Sequence, residues 1–91
     1  VHHRIAIDDL IYCQAEGDFV RLVLREKQLL SGQTLSHYEA LLAPVGVIRI
    51  HRSFLLRLDA LEKLEGNRVH TVRGEVPVGR SYRAGLLGRL G

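Results

Sequence analysis

Apolar residues along this chain come in short runs, each soon cut off by glycine or by clustered polar residues. Leu10 to Ala15 reads as a strand, Glu16-Gly17-Asp18 as a turn, and Phe19 to Leu24 as a second strand closing a hairpin. Weak alternation over His2–Ile7 predicts an earlier strand that Asp8-Asp9 breaks. After the polar turn Arg25–Gln28, Leu29-Leu30 returns briefly and ends at Ser31-Gly32. Ser36-His37-Tyr38-Glu39 fits a capping box, with Leu35 and Ala40 as its hydrophobic staple. The spacing predicts a helix over residues 36–43, stopped before Pro44, with Tyr38, Leu41, Leu42 and Val45 on one core-facing stripe. Val47 to Ile50 is β-branched and reads as a central strand, after which Arg52 and Ser53 turn the chain into Phe54-Leu55-Leu56. Leu58–Ala60 is a turn, and Leu61–Glu65 leads to the hairpin signal Gly66-Asn67. Arg68–Val72 is a strand, and Glu75–Val78 another that Pro77 confines to an edge. A final helix near residues 80–90 places Tyr82, Leu86, Leu87 and Leu90 on one stripe, capped by Gly79 or Ser81 and weakened by Gly85 and Gly88. Many short strands and two short helices predict one mainly β domain.

With 91 residues the chain has room for a single modest core, and a charged fraction of 25% is ordinary for a folded domain. No apolar run approaches the roughly 18 residues that a spanning helix needs. The chain opens on Val1 and has no Met, which suggests a piece of a longer protein. Its one cysteine, Cys13, lies in a strand-like run where a small buried hydrophobe is expected rather than a reactive thiol.

Charge changes the picture. Residues 1–45 carry four Lys/Arg against six Asp/Glu, and residues 46–91 carry nine against four, so the halves balance at −2 and +5. Eleven of the thirteen basic residues are Arg, which grips phosphates and guanine edges bidentately. Such a half suits a polyanionic partner. Its centre is Arg49-Ile50-His51-Arg52-Ser53-Phe54. If Ile48 and Ile50 face a core, strict alternation puts Arg49 and His51 together on the opposite face, beside Arg52 and Ser53 at the strand end.

Other chemistry finds little support. The five histidines are scattered, with no Cys partner, so no metal and no cofactor is expected. His51, Ser53 and Asp59 lie too close in sequence for a hydrolytic triad, no glycine elbow surrounds the serine, and no enzyme is expected. There is no helix-turn-helix or zinc-finger spacing. Aromatics make up only 5%, and Phe19 and Phe54 are expected inside, which leaves no stacking platform for single strands. Arginines reading duplex DNA remain. The rivals are a protein-interaction or ligand-binding β-domain whose basic face is incidental, and a binder of structured RNA.

Asp9-Leu10-Ile11-Tyr12, Glu16-Gly17-Asp18-Phe19-Val20, Thr34-Leu35, Arg49–Leu55 and Val76–Tyr82 follow one another in an order that resembles the LytTR family. The resemblance spans residues 1–91 as one domain. It implies an elongated β-sheet sandwich with short helices, acting as the DNA-binding output domain of a bacterial transcription regulator. By position it implies DNA contact by Arg21, His51, Arg52 and Arg80 in successive major grooves, with Ser53 holding the turn. Two residues depart from the family pattern: Arg57 stands where Asn is common, and Gly79 where a capping Ser is usual. Arg57 is expected either to add a phosphate contact or to stand as a solvated charge. The implied partners are double-stranded DNA with repeated promoter half-sites, on which two copies pair, and an N-terminal receiver or membrane sensor domain. The implied location is the cytoplasm, or the cytoplasmic side of a membrane-anchored regulator.

Overall fold

The computed structural model describes residues 6–91. The strand expected over His2–Ile7 falls mostly outside them, and Ile7–Asp9 is a 3-10 turn. Five strands then build the larger sheet: β1 (Leu10–Glu16), β2 (Phe19–Leu24), β3 (Gln28–Ser31), β4 (Val47–His51) and β5 (Phe54–Arg57). Their order is β3-β2-β1-β5-β4, with every neighbour antiparallel. β6 (Lys63–Glu65), β7 (Arg68–Thr71) and β8 (Gly74–Pro77) form a smaller antiparallel sheet in sequence order, and Pro77 lies on its edge strand as expected. Two hairpins turn on a glycine at the first loop position, Gly17 (φ 59°) and Gly66 (φ 60°), a backbone that other residues adopt only with strain.

Two cores flank the larger sheet. On one face Leu10, Cys13, Val20, Leu22, Leu24, Val47 and Leu55 pack under α1 (Leu35–Leu42), which contributes Leu35 and, at the margin, Tyr38 and Leu42. On the other face Ile50 and Leu56 meet Val69, Val76 and Val78 of the smaller sheet's segment, together with Leu86 of α2 (Arg83–Leu90). Consecutive apolar residues of the central strands therefore find cover on opposite faces, which is why the short runs suffice.

The structure corrects several sequence expectations. Thr34, not Ser36, caps α1: its hydroxyl accepts from His37 N–H at 3.0 Å. The helix starts one residue early, and its core-facing side runs through Leu35, Tyr38 and Leu42. Leu41 (59% exposed) and Val45 (46%) therefore face outward, although both were expected in the core. In the last segment a 3-10 turn over Arg80–Tyr82 precedes α2, and only Leu86 of the expected stripe is fully buried. Phe19, expected inside, is 53% exposed beside the first hairpin turn.

Two outcomes follow from packing alone. Cys13 is wholly buried, and burial pushes its thiol up to about 12. Iodoacetamide at pH 8 should leave the native domain unlabelled and label it fast in denaturant; rapid native labelling would contradict this core. Gly88 sits in α2 with nothing within 4 Å of where a Cβ would stand. Gly88→Ala should therefore stabilise the domain by about 0.5–1 kcal/mol, seen as a rise of a few degrees in thermal melting.

Candidate nucleic-acid interface

The site is built by an irregularity in β4. Arg49 pairs with Leu55, but the next partner of β5 is His51 with Phe54, so Ile50 is an extra residue. Such a bulge re-aims everything after it. Arg49 keeps to the α1 face, where its Nη1 donates to Glu39 Oε1 at 3.0 Å. His51 joins Phe54 on the opposite face, ring centroids 5.4 Å apart. The expectation that Arg49 and His51 share a face is thus corrected: it assumed unbroken alternation, and the bulge adds one residue.

Beyond the bulge the turn is locked by main-chain bonds. Ser53 N–H donates to His51 Nδ1 at 3.0 Å, and Ser53 carbonyl accepts from Ala15 N–H at 2.8 Å. A ring nitrogen that accepts a hydrogen bond carries no proton, so the neutral imidazole bears its hydrogen on Nε2, a donor free for a ligand. Arg49 Nη2 donates to the Arg52 carbonyl at 2.6 Å, bracing the backbone while the Arg52 side chain stands in solvent. Opposite, Gly79 N–H donates to Ile50 carbonyl at 2.7 Å, which draws the start of the last segment against the β4 edge. A Cβ at Gly79 would lie 3.0 Å from Tyr82 Cδ2 and 3.5 Å from His51 Cα. Glycine allows this approach; any larger residue would push Tyr82 aside. The result is an open cleft of about 550 Å³ lined by His51, Arg52, Gly79, Arg80, Ser81 and Tyr82, with no acidic residue among them.

Three of the residues singled out from sequence, His51, Arg52 and Arg80, therefore meet in one cleft. Ser53 adjoins it, holding the turn through its backbone. Arg21 lies elsewhere on the same sheet face: the cross-strand row runs Arg21, Gln14, Phe54, His51. Three strand spacings put it about 14 Å from His51. Both its Nε and Nη2 donate to Glu16 Oε2, at 2.7 and 2.6 Å, so an incoming anion must compete with that carboxylate. Arg57 fits neither role expected of it. It is 5% exposed and sits at the other end of the β4–β5 hairpin, opposite Val47. Its Nε donates to Leu10 carbonyl at 2.6 Å and its Nη2 to Asp8 carbonyl at 3.1 Å, so the guanidinium is engaged inside the fold.

A model of the LytTr DNA-binding domain matches residues 2–91. The chain belongs to the LytTR family. Four chains of known structure also match. One is the LytTr DNA-binding domain of a protein described as a methyl-accepting/DNA response regulator from Bacillus cereus. It is 22% identical, with a TM-score of 0.87 over 96% of this chain and 85% of that one. Comparison with curated proteins returned no match.

The family is one of DNA-binding domains. The mainly antiparallel architecture with two short helices agrees with the fold expected from sequence. Among the described residues no helix is long and apolar enough to cross a membrane, and no group of three or more His, Cys, Asp or Glu could hold a metal. In this LytTR domain, sequence reasoning missed Gly79, Ser81 and Tyr82 as cleft-forming residues and Arg49 as the brace. Gly79 carried a signal, a glycine just before a helix start, but its meaning depends on His51 lying against it.

Proposed function

We propose that this LytTR domain binds double-stranded DNA sequence-specifically as the output module of a transcription regulator, with the cleft between the β4–β5 turn and residues 79–82 as its reading surface. The observation that carries this is the convergence of two exposed arginines and an imidazole donor on one cleft free of acidic residues. Arg52 and Arg80 supply bidentate donors suited to guanine edges. His51 Nε2 supplies one more donor, to a base or a phosphate. Arg21, about 14 Å away along the same face, suits a neighbouring stretch of DNA once it exchanges Glu16 for a phosphate. The domain is elongated, 39 × 23 × 23 Å, which suits contact with successive major grooves on one side of the duplex. Two copies on repeated half-sites about one helical turn apart would read a promoter, with signal input from a receiver or membrane sensor domain in a cytoplasmic regulator.

Selection of bound duplexes from a random pool tests the proposal and yields the operator. Affinity for that operator should fall steeply with salt, a log–log slope of about −0.9 for each phosphate neutralised. A shallow slope with no enriched sequence would leave an incidental basic face as the better reading. Enrichment of folded RNA over duplex DNA would favour the third.

A further inference from the structure

The β1–β2 hairpin and the β4–β5 turn leave the larger sheet at the same end. Ala15 N–H, next to the last residue of β1, donates to the Ser53 carbonyl at 2.8 Å. The hairpin tip, Glu16-Gly17-Asp18-Phe19, therefore stands on the same rim as Arg52. Two to three strand spacings separate them, about 10–14 Å.

Phe19 is the anomaly on this rim. It pairs with Glu16, whose carboxylate accepts from Arg21, so all three side chains share the sheet face that carries His51. Its neighbour Val20 is buried under α1, which turns Phe19 away from that core. The ring is 53% exposed and stacks on no other ring among the described residues. The solvent face of an antiparallel strand needs no apolar side chain, so the fold itself does not call for phenylalanine here. The tip also selects among the parts of a duplex. Asp18 is exposed beside the ring, and its charge repels phosphates. The major-groove edges of bases suit both residues: an amino group meets a carboxylate, and the thymine methyl meets an apolar side chain.

We propose that Phe19 is a specificity-determining residue that packs on the 5-methyl group of one thymine in the major groove. The inference rests on the DNA-binding reading above and deepens it. The arginines and the imidazole donate to acceptors, and none of them recognises a methyl group. Phe19 adds that discrimination at a second place on the duplex. At about 3.4 Å per base step, its thymine lies roughly three or four base pairs from the position read by Arg52.

The test replaces each thymine of the selected operator in turn by uracil, which lacks only the methyl group. Affinities are measured for the parent, Phe19→Ala and Val72→Ala, with thermal melting as a check on folding. Val72 is as exposed, 56%, but lies at the far end of the sheet, beside Arg73, whose Nη1 donates to the Arg25 carbonyl at the β2–β3 turn. The parent should lose about fourfold at one thymine, the worth of one buried methyl group. Phe19→Ala should bind the unmodified operator about fourfold more weakly or worse, and uracil at that position should cost it nothing further. Its salt slope should match the parent's, because no phosphate contact is lost. Val72→Ala should keep the parent's affinity and its response to uracil. Should the parent bind its operator without any uracil penalty that Phe19→Ala removes, the thymine contact is wrong and the DNA reading survives. A parent domain that shows no salt-dependent duplex binding overturns the DNA reading, and this inference with it.

Discussion

Arg52→Ala and Arg80→Ala should each erase discrimination at particular operator positions while leaving a folded domain. Both side chains are exposed and lend nothing to the core, so melting temperatures should stay near the parent value. A bidentate arginine–guanine pair discriminates by about 1–3 kcal/mol, so each variant should lose roughly five- to 150-fold in preference at the base it reads. Arg52→Lys keeps the charge but not the fork, and should retain general affinity while losing most of that preference. Because Arg52 and Arg80 line one cleft, the double variant should deviate from additivity if they share a base pair. Fluorescence anisotropy over a panel of singly substituted operators reads all of this. Parent-like affinity and preference in both alanine variants would place the reading surface elsewhere.

The second large effect is on stability. Arg57→Ala should destabilise the domain by roughly 2–4 kcal/mol, lowering its melting temperature by about 10 °C or more, because hydrogen bonds from a charged group are lost inside the protein. Arg57 ties Leu10 and Asp8 carbonyls to the end of β5, and the Asp8 carbonyl also accepts from Arg25 Nε at 3.2 Å. Its ion pair with Asp59 is long, 3.8 Å, and the aspartate side chain is almost fully exposed, so that contact adds little. The lost anchor is therefore main-chain: the segment before β1 comes loose. Urea unfolding measures the loss, and DNA affinity at a temperature where the variant remains folded should match the parent. Unchanged stability with uniformly weaker DNA binding would restore the phosphate-contact expectation.

The contrast between Arg52 and Arg57 shows how far the sequence was legible. Both are arginines flanking one apolar run, and nothing local separates them. Strand pairing does, by setting one at the turn and the other against Leu10, a residue distant in the chain. The strands themselves were readable because glycine turns and apolar runs are local signals, as at Gly17 and Gly66. The last helix was placed correctly in outline, since Leu86 reaches the core. Where alternation failed, at Ile50, an extra residue in the pairing was the cause, and pairing is a property of two strands at once. Thr34 prevailed over Ser36 as the cap for a similar reason: burial of Leu35 under the sheet sets where the helix begins. Phe19, apolar yet open to solvent beside a turn, breaks the general rule, and packing gives no reason for it.

The single bond from Gly79 N–H to the Ile50 carbonyl has a consequence for biosynthesis. One wall of the cleft comes from the middle of the domain and the other from its last segment, so no single stretch of the chain forms the cleft by itself. A nascent chain stalled with residues 79–90 still inside the ribosome would display His51 and Arg52 on an open rim, with nothing facing them. The cleft is complete only when that segment emerges and docks.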